Sequence, residues 1–193
     1  MAPRFILASG SPRRRQLLTE AGYEFEVAPP PNDEVSHSWL TGRELTVWNA
    51  AGKARLVSKA SPAAVVLAAD TLVTIDGDVL GKPVDMEDAV RTLRRLSGRA
   101  HEVWTAVCIC HAARDRSKSF HEISRVHFRQ LPDRAIHNYL AKINPLDKAG
   151  AYAAQGYGKE IIQRIEGSYS NVVGLPMEKT GPALAAFGVT PGR

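Results

Sequence analysis

Residues Phe5 to Arg15 constrain the fold of this chain more than any other stretch. Phe5-Ile6-Leu7 reads as the end of a buried strand, Ala8-Ser9-Gly10 as a small-residue turn, and Ser11-Pro12 as a helix start. Gly10 permits the sharp turn and Ser11 can serve as N-cap. Pro12 sits at the first helical position, where its missing N–H costs nothing. A strand that feeds straight into a helix sets the alternation that the remainder repeats.

The same helix start carries Arg13-Arg14-Arg15. Free amides of a first helical turn, the positive end of the helix dipole and guanidinium forks together make an anion site suited to phosphate oxygens. Leu17, Leu18 and Ala21 form a core-facing stripe. Arg14 falls on their side at the open end, flanked by Arg13 and Arg15. The segment reads as a polyphosphate grip. The alternative is a solvated basic turn that touches a membrane or nucleic acid, and no Walker-type glycine–lysine loop accompanies it.

Alternation continues along the chain. Phe25-Glu26-Val27 reads as a second strand, Asn32 to Thr41 as a loop, and Gly42 to Ser61 as a helix in which Leu45, Trp48, Gly52 and Leu56 share one face. Gly52 costs that helix roughly 1 kcal/mol relative to alanine and suggests close packing. Ala63 to Ala69 is nearly all apolar, as expected of a central strand buried on both faces. Asp76-Gly77 between two short apolar arms is a strong hairpin signal. A helix over Asp85–Leu96, with Ala89, Leu93 and Leu96 buried, precedes two paired strands near His101–Ala112 and Lys118–Leu131. A helix near Pro132–Lys142, a strand near Glu160–Ile165 and a last helix around Met177–Phe187 complete an α/β fold with a mixed sheet.

At 193 residues, 44% hydrophobic and 23% charged, the chain reads as one soluble globular domain spanning residues 1–193. No apolar run approaches the roughly 18 residues that span a bilayer, and the N-terminus lacks a signal-peptide pattern, so a cytoplasmic protein without membrane contact is expected. Cys108 and Cys110, the only cysteines, alternate on one side of a strand at a spacing of about 6.6 Å. They make a poor disulfide and an incomplete zinc site and read as two buried free thiols. Net charge +5 favours an anionic ligand. Nucleic-acid binding is a rival, but the basic residues are dispersed outside Arg13–Arg15 and Arg91–Arg95, without aromatic–basic stacking motifs. A small phosphorylated ligand requires fewer charges.

Asp70 ends the buried run, and in open α/β sheets ligands gather at strand carboxyl ends. A carboxylate there either forms the turn before Thr71 or meets a cation. Gly81-Lys82-Pro83 closes the hairpin and can return an ammonium toward it, whereas Glu34 and Lys53 read as solvated on spacing alone. In Gly150–Gly158, glycines and alanines surround Gln155, which lets backbone approach a flat ligand while the amide reads a base edge. His101 and His127 lie in strands and read as core histidines.

Taken together, these segments resemble the Maf family of nucleoside triphosphate pyrophosphatases, nearly end to end. The resemblance rests on Leu7-Ala8-Ser9-Gly10-Ser11-Pro12-Arg13-Arg14, Ala69-Asp70-Thr71, Gly81-Lys82-Pro83, Leu96-Ser97-Gly98-Arg99-Ala100-His101 and Phe128-Arg129. It continues in Leu146-Asp147-Lys148-Ala149-Gly150-Ala151-Tyr152 and in Ile165 through Pro176. It implies an elongated α/β fold related to inosine triphosphatases, a homodimer, and hydrolysis of a nucleotide to its monophosphate plus pyrophosphate with a divalent cation, Mg²⁺ or Mn²⁺. Asp70 matches the proton acceptor; Arg13, Thr71 and Gln155 match positions linked to base choice. Ser9, Arg14, Lys53 and Lys82 align with phosphate-binding positions, and Glu34 joins Asp70 as a metal candidate. Glutamine at 155 implies the dTTP/UTP branch, since glutamate there marks action on 7-methyl-GTP. An amide can accept from N3–H of thymine or uracil while donating to O4; a carboxylate only accepts. The family is also connected with septum formation and division arrest, so the alternative is a nucleotide-binding regulator with little turnover. Asn49, Gly52 and His127 depart from the family pattern, where a leucine, a better helix former and a threonine are usual.

Overall fold

The computed structural model describes residues 3–31 and 40–192; Glu34 and most of the expected loop before Thr41 lie outside the described residues. In chain order the elements are β1 (Phe5–Leu7), α1 (Pro12–Glu20), β2 (Glu26–Val27), α2 (Gly42–Ala60), β3 (Val65–Ile75), β4 (Asp78–Leu80) and α3 (Met86–Leu96). There follow β5 (Ala100–His111), β6 (Arg116–Phe128), α4 (Asp133–Leu140), α5 (Gly158–Ile161), β7 (Ile162–Glu166), α6 (Tyr169–Val173) and α7 (Met177–Ala186). Among the described residues one seven-stranded sheet runs β2-β1-β3-β5-β6-β7, with β4 paired to β3 off that path. Parallel pairs (β1 with β2 and β3) coexist with antiparallel ones (β3 with β4, β6 with β7), which makes the sheet mixed, as the alternation predicts. The short helix α6 within the Ile165–Pro176 motif was not legible as one.

The chain divides into two compact units. The first comprises Met1–Asp70, Thr105–Glu122 and Gly174–Arg193, and the second Thr71–Trp104 and Ile123–Val173. In the first unit the pleat sends alternate side chains to opposite faces. Phe5, Leu7, Val65, Leu67, Ala69, Val107 and Ile109 pack with Leu18 of α1 and Leu184 of α7. Ile6, Ala8, Val66, Ala68, Ala106, Cys108 and Cys110 pack with Ala50, Ala54 and Val57 of α2. Burial on both faces explains the unbroken apolar run in β3. The two cysteines are free and buried, with sulfurs 3.6 Å apart.

Each helix start has a local cause. The Ser11 hydroxyl accepts from the Arg14 amide ahead of Pro12 in α1. In α2 the Thr41 hydroxyl accepts from the Glu44 amide at 3.3 Å while the Glu44 carboxylate accepts from the Thr41 amide at 2.9 Å, a reciprocal cap. The face of α2 shared by Leu45, Trp48, Gly52 and Leu56 is not the one that meets the sheet. Trp48 is 63% exposed and Leu56 43%, whereas Ala50 and Ala54 are buried. The sheet offers Ala8, Ala68, Ala106 and two cysteines on that side, and small side chains mesh with small side chains. Nothing lies within 4 Å of a Cβ built on Gly52, so close packing does not account for it.

One correction concerns β3, which continues through Asp70 to Ile75 as one strand of 11 residues. In the second unit Ile75 pairs with Asp78 across Asp76 (φ 55°) and Gly77 (φ 85°), the two-residue turn that the Asp-Gly dipeptide predicts. The core of this unit gathers Val73, Leu93, Leu96, Phe128, Ile136, Tyr139 and Tyr152. His101 is buried in it and lies 2.7 Å from the Tyr152 hydroxyl through Nε2. Burial, reinforced by His127, pushes His101 down to about 4. The unfolded chain takes up this proton near pH 6.5 and the folded one only near 4. Between those values the unfolded state binds more protons, so stability falls as pH drops from about 6.5 toward 4. Urea midpoints measured across that range are expected to fall more steeply for the wild type than for His101→Gln; equal slopes would exclude the contribution.

Candidate active site

Asp70 closes the first unit at a point set by strand parity. It continues the row Val66–Ala68, so its carboxylate faces α2. The β1 ladder ends at the Leu7–Leu67 pair and the β4 ladder begins at Val73, which leaves Asp70 in the stretch of β3 between the two. The residue is buried, with 6% of its surface exposed. Two side chains one helical turn apart on α2 hold it: Lys53 Nζ donates to Oδ1 at 2.8 Å, and Asn49 Nδ2 donates to Oδ2 at 3.3 Å. Lys53, which spacing alone suggests is solvated, is only 15% exposed along its side chain. A groove of about 200 Å³ opens onto Asn49 and Lys53, walled by Pro30, Trp48, Gly52 and Leu56. Both oxygens of the carboxylate are therefore engaged, yet each retains acceptor capacity.

Ser9 and Arg14 come together at the same edge of the sheet. β1 runs parallel to β3, and the Ala8 amide donates to Leu67 O at 2.7 Å just beyond the last ladder pair. Ser9 follows directly and is buried. Its hydroxyl accepts from Arg14 Nη1 at 3.0 Å and from the Ser11 amide at 3.2 Å. Arg14 also donates from Nε to Gly174 O at 2.9 Å, so the guanidinium is oriented by α1's own start and by the segment leading to α7. Helix α1 packs on the opposite face of the sheet from α2, and the two elements reach the carboxyl-end edge from either side. Arg13 is half-buried beside Arg14, and Arg15 is exposed.

The remaining expected residues lie in the second unit. Thr71 opens it and is half-buried; the pleat turns its side chain to the face opposite Asp70. Lys82 is exposed after β4, next to Gly81, whose carbonyl accepts from the Gly150 amide at 3.1 Å. That bond ties the end of the hairpin to the loop that carries Gln155. Gln155 is half-buried, and its carbonyl accepts from the Gly158 amide at 3.2 Å, a turn that leads into α5.

Comparison with known proteins decides the kinship. The family described as Maf-like protein matches residues 4–187. This chain belongs to the Maf-like protein family. A dTTP/UTP pyrophosphatase of Bdellovibrio bacteriovorus is 43% identical over 97% of this chain and 100% of its own length. One from Anaeromyxobacter dehalogenans is 46% identical over 97% of this chain and 96% of its own. Among solved structures, a HAM1 protein from Coxiella burnetii is similar over 67% of this chain and 75% of its own, at 18% identity and a TM-score of 0.47.

In this Maf-like protein the residue that sequence reasoning missed is Asn49. It stood out only as a departure from the family's usual leucine, yet it is buried and donates to Asp70. The available signal was its spacing: Asn49 and Lys53 are four residues apart and so share one side of a helix. Among the described residues no three His, Cys, Asp or Glu side chains converge as metal ligands. No helix among them is long and apolar enough to cross a membrane.

Proposed function

We propose that this chain is a nucleoside triphosphate pyrophosphatase that hydrolyses dTTP and UTP to the monophosphate and pyrophosphate. The observation that carries the reading is the buried Asp70 carboxylate, held on both oxygens by α2, in a chain so similar to proteins named dTTP/UTP pyrophosphatases. In the reaction, water attacks the α-phosphorus in line, the α–β bridging P–O bond breaks, and pyrophosphate departs. Asp70 takes the water's proton, a role that suits a carboxylate kept in place by Lys53 and Asn49. Ser9, Arg14, Lys53 and Lys82 bind the triphosphate, with α1's first-turn amides adding positive potential. Arg13, Thr71 and Gln155 select the base, Gln155 by accepting from N3–H and donating to O4.

The donor set fits a hard divalent ion better than a thiophilic one. Asp70 offers carboxylate oxygens, and the buried cysteines hydrogen-bond to one another. A magnesium-class ion needs only one or two carboxylates, with substrate phosphates and water completing its shell. Asp70 and Glu34 would hold Mg²⁺ or Mn²⁺, which supplies neutralisation of phosphate charge and polarisation of water. The whole chain, residues 1–193, acts as one catalytic domain in this reading. The working protein is a homodimer, as the family resemblance implies; it acts in the cytoplasm and takes free nucleotides and not nucleic acid, in keeping with its dispersed basic residues.

Pyrophosphate release from dTTP, UTP, CTP, GTP and 7-methyl-GTP, each with Mg²⁺, tests the proposal. The expected result is a kcat/KM for dTTP and UTP at least about tenfold above the others, a difference of about 1.4 kcal/mol. A purine preference would overturn the base assignment. Nucleotide binding without pyrophosphate release would favour a regulator instead.

A further inference from the structure

Gly52 stands in the interior of α2, where glycine weakens a helix relative to alanine, and packing does not require it: nothing lies within 4 Å of a Cβ built there. The bare backbone instead forms part of the groove of about 200 Å³ described above. Trp48 and Leu56, four residues to either side, rise on the same face of the helix, and Pro30 and Pro31 wall the groove. Trp48 is 63% exposed and Leu56 43%, so two large apolar side chains face water beside a strip of uncovered main chain. Apolar walls with a few polar groups at the margin are the usual make-up of a small-molecule site.

The groove adjoins the reacting groups of the first unit. Asn49 and Lys53 line it, and both donate to the Asp70 carboxylate. Its proline wall runs beside the turn at Gly10, where a built Cβ would meet Pro29 Cβ at 3.7 Å. That turn joins Ser9 to Ser11, and the Ser9 hydroxyl accepts from Arg14. All of these residues belong to the stretch Met1–Asp70.

The chemistry of the substrate decides which part of it suits such walls. The attacked α-phosphorus carries the pentose through a single ester oxygen on one side and pyrophosphate on the other. Pyrophosphate is the most highly charged part and requires several cations, whereas Lys53 is the one charged group among the described residues that line this groove. An uncharged group with a C–H face fits these walls, and the sugar is the one nearest the reacting phosphorus. We propose that the groove is the pentose subsite, with Trp48 packed along one face of the sugar and Gly52 letting the ring approach the helix backbone. The inference rests on the reading of Asp70 as the catalytic base in a nucleotide pyrophosphatase.

Gly52→Ala tests this cleanly, because helix propensity and substrate fit pull in opposite directions. It should raise the melting temperature by about 2–4 °C. It should also raise KM for dTTP, UTP and CTP alike by about fivefold, with kcat within about threefold of the wild type. Gly52→Leu, which fills the groove, and Trp48→Ala, which removes its wall, should raise KM by about tenfold and about fivefold. Inhibition by inorganic tripolyphosphate, which lacks a sugar, should be the same in all three variants as in the wild type. An unchanged KM in Gly52→Leu or in Trp48→Ala overturns the proposal. So does a loss confined to one base, or weaker tripolyphosphate inhibition that parallels the rise in KM, since the groove would then hold a base or a phosphate. A wild-type protein that releases no pyrophosphate from any nucleotide would sink the pyrophosphatase reading itself, whereas variants that match an active wild type sink only the pentose subsite.

Discussion

Asp70→Asn is expected to reduce kcat for dTTP by about 10³-fold or more while leaving the protein folded, as read by steady-state pyrophosphate release beside circular dichroism and thermal melting. General-base catalysis contributes typically 10²–10⁴-fold, and a carboxamide neither accepts a proton at neutral pH nor binds a divalent ion as a carboxylate does. The fold should tolerate the change because asparagine has the same shape. Its Oδ1 can still accept from Lys53, which now meets Asp70 at 2.8 Å. Removing one partner of a buried ion pair costs about 3–5 kcal/mol when the other charge is trapped. Lys53 has a long flexible stem and retains 15% exposure, so its ammonium can move to water and lower that cost. Near-full activity in a folded Asp70→Asn protein would remove Asp70 from the chemistry.

Gln155→Glu should lower kcat/KM for dTTP and UTP by about 10²–10³-fold and shift the remaining preference toward 7-methyl-GTP. Sites built to hydrogen-bond a substrate edge reject a mismatch by more than sites that merely fit its shape. Here the carboxylate would set an acceptor against the acceptor O4 and leave a charge unmatched in a half-buried loop. The loop itself is held through its backbone, by the Tyr139 hydroxyl on Ala153 and by the Gly158 amide on Gln155 O. The decisive measurement is the ratio of the variant's kcat/KM values for UTP and 7-methyl-GTP. If that ratio equals the wild type's, the base is read elsewhere.

Legibility in the sequence followed the range of the interactions involved. The start of α1 was readable because Ser11, Pro12 and the Arg14 amide lie within one turn of each other. The β3–β4 hairpin was readable because Asp76 and Gly77 themselves adopt the positive φ that the turn requires. The buried face of α2 was not legible, because its largest apolar side chains, Trp48 and Leu56, lie exposed whereas the sheet accepts Ala50 and Ala54. Asp70 was expected to end a strand and lies within one, because β3 passes from pairing with β1 to pairing with β4 while β5 neighbours it on the other side in the sheet. Lys53 entered as a site residue by resemblance alone, and Asn49 as an oddity. Glu34 lies outside the described residues.

By itself, then, the order of residues determined the kinship, the alternation of strands and helices, the helix caps and the identity of the groups able to do chemistry, because each depends on a few neighbouring side chains or on motif spelling. Tertiary structure alone decided which face of α2 meets the sheet, that Asn49 and Lys53 share the two oxygens of Asp70, and that a phenol from α4 grips the peptide two residues before Gln155. Those pairings join residues distant along the chain. They are settled by strand order and by how well side-chain volumes mesh between layers, and neither property resides in a local window of sequence.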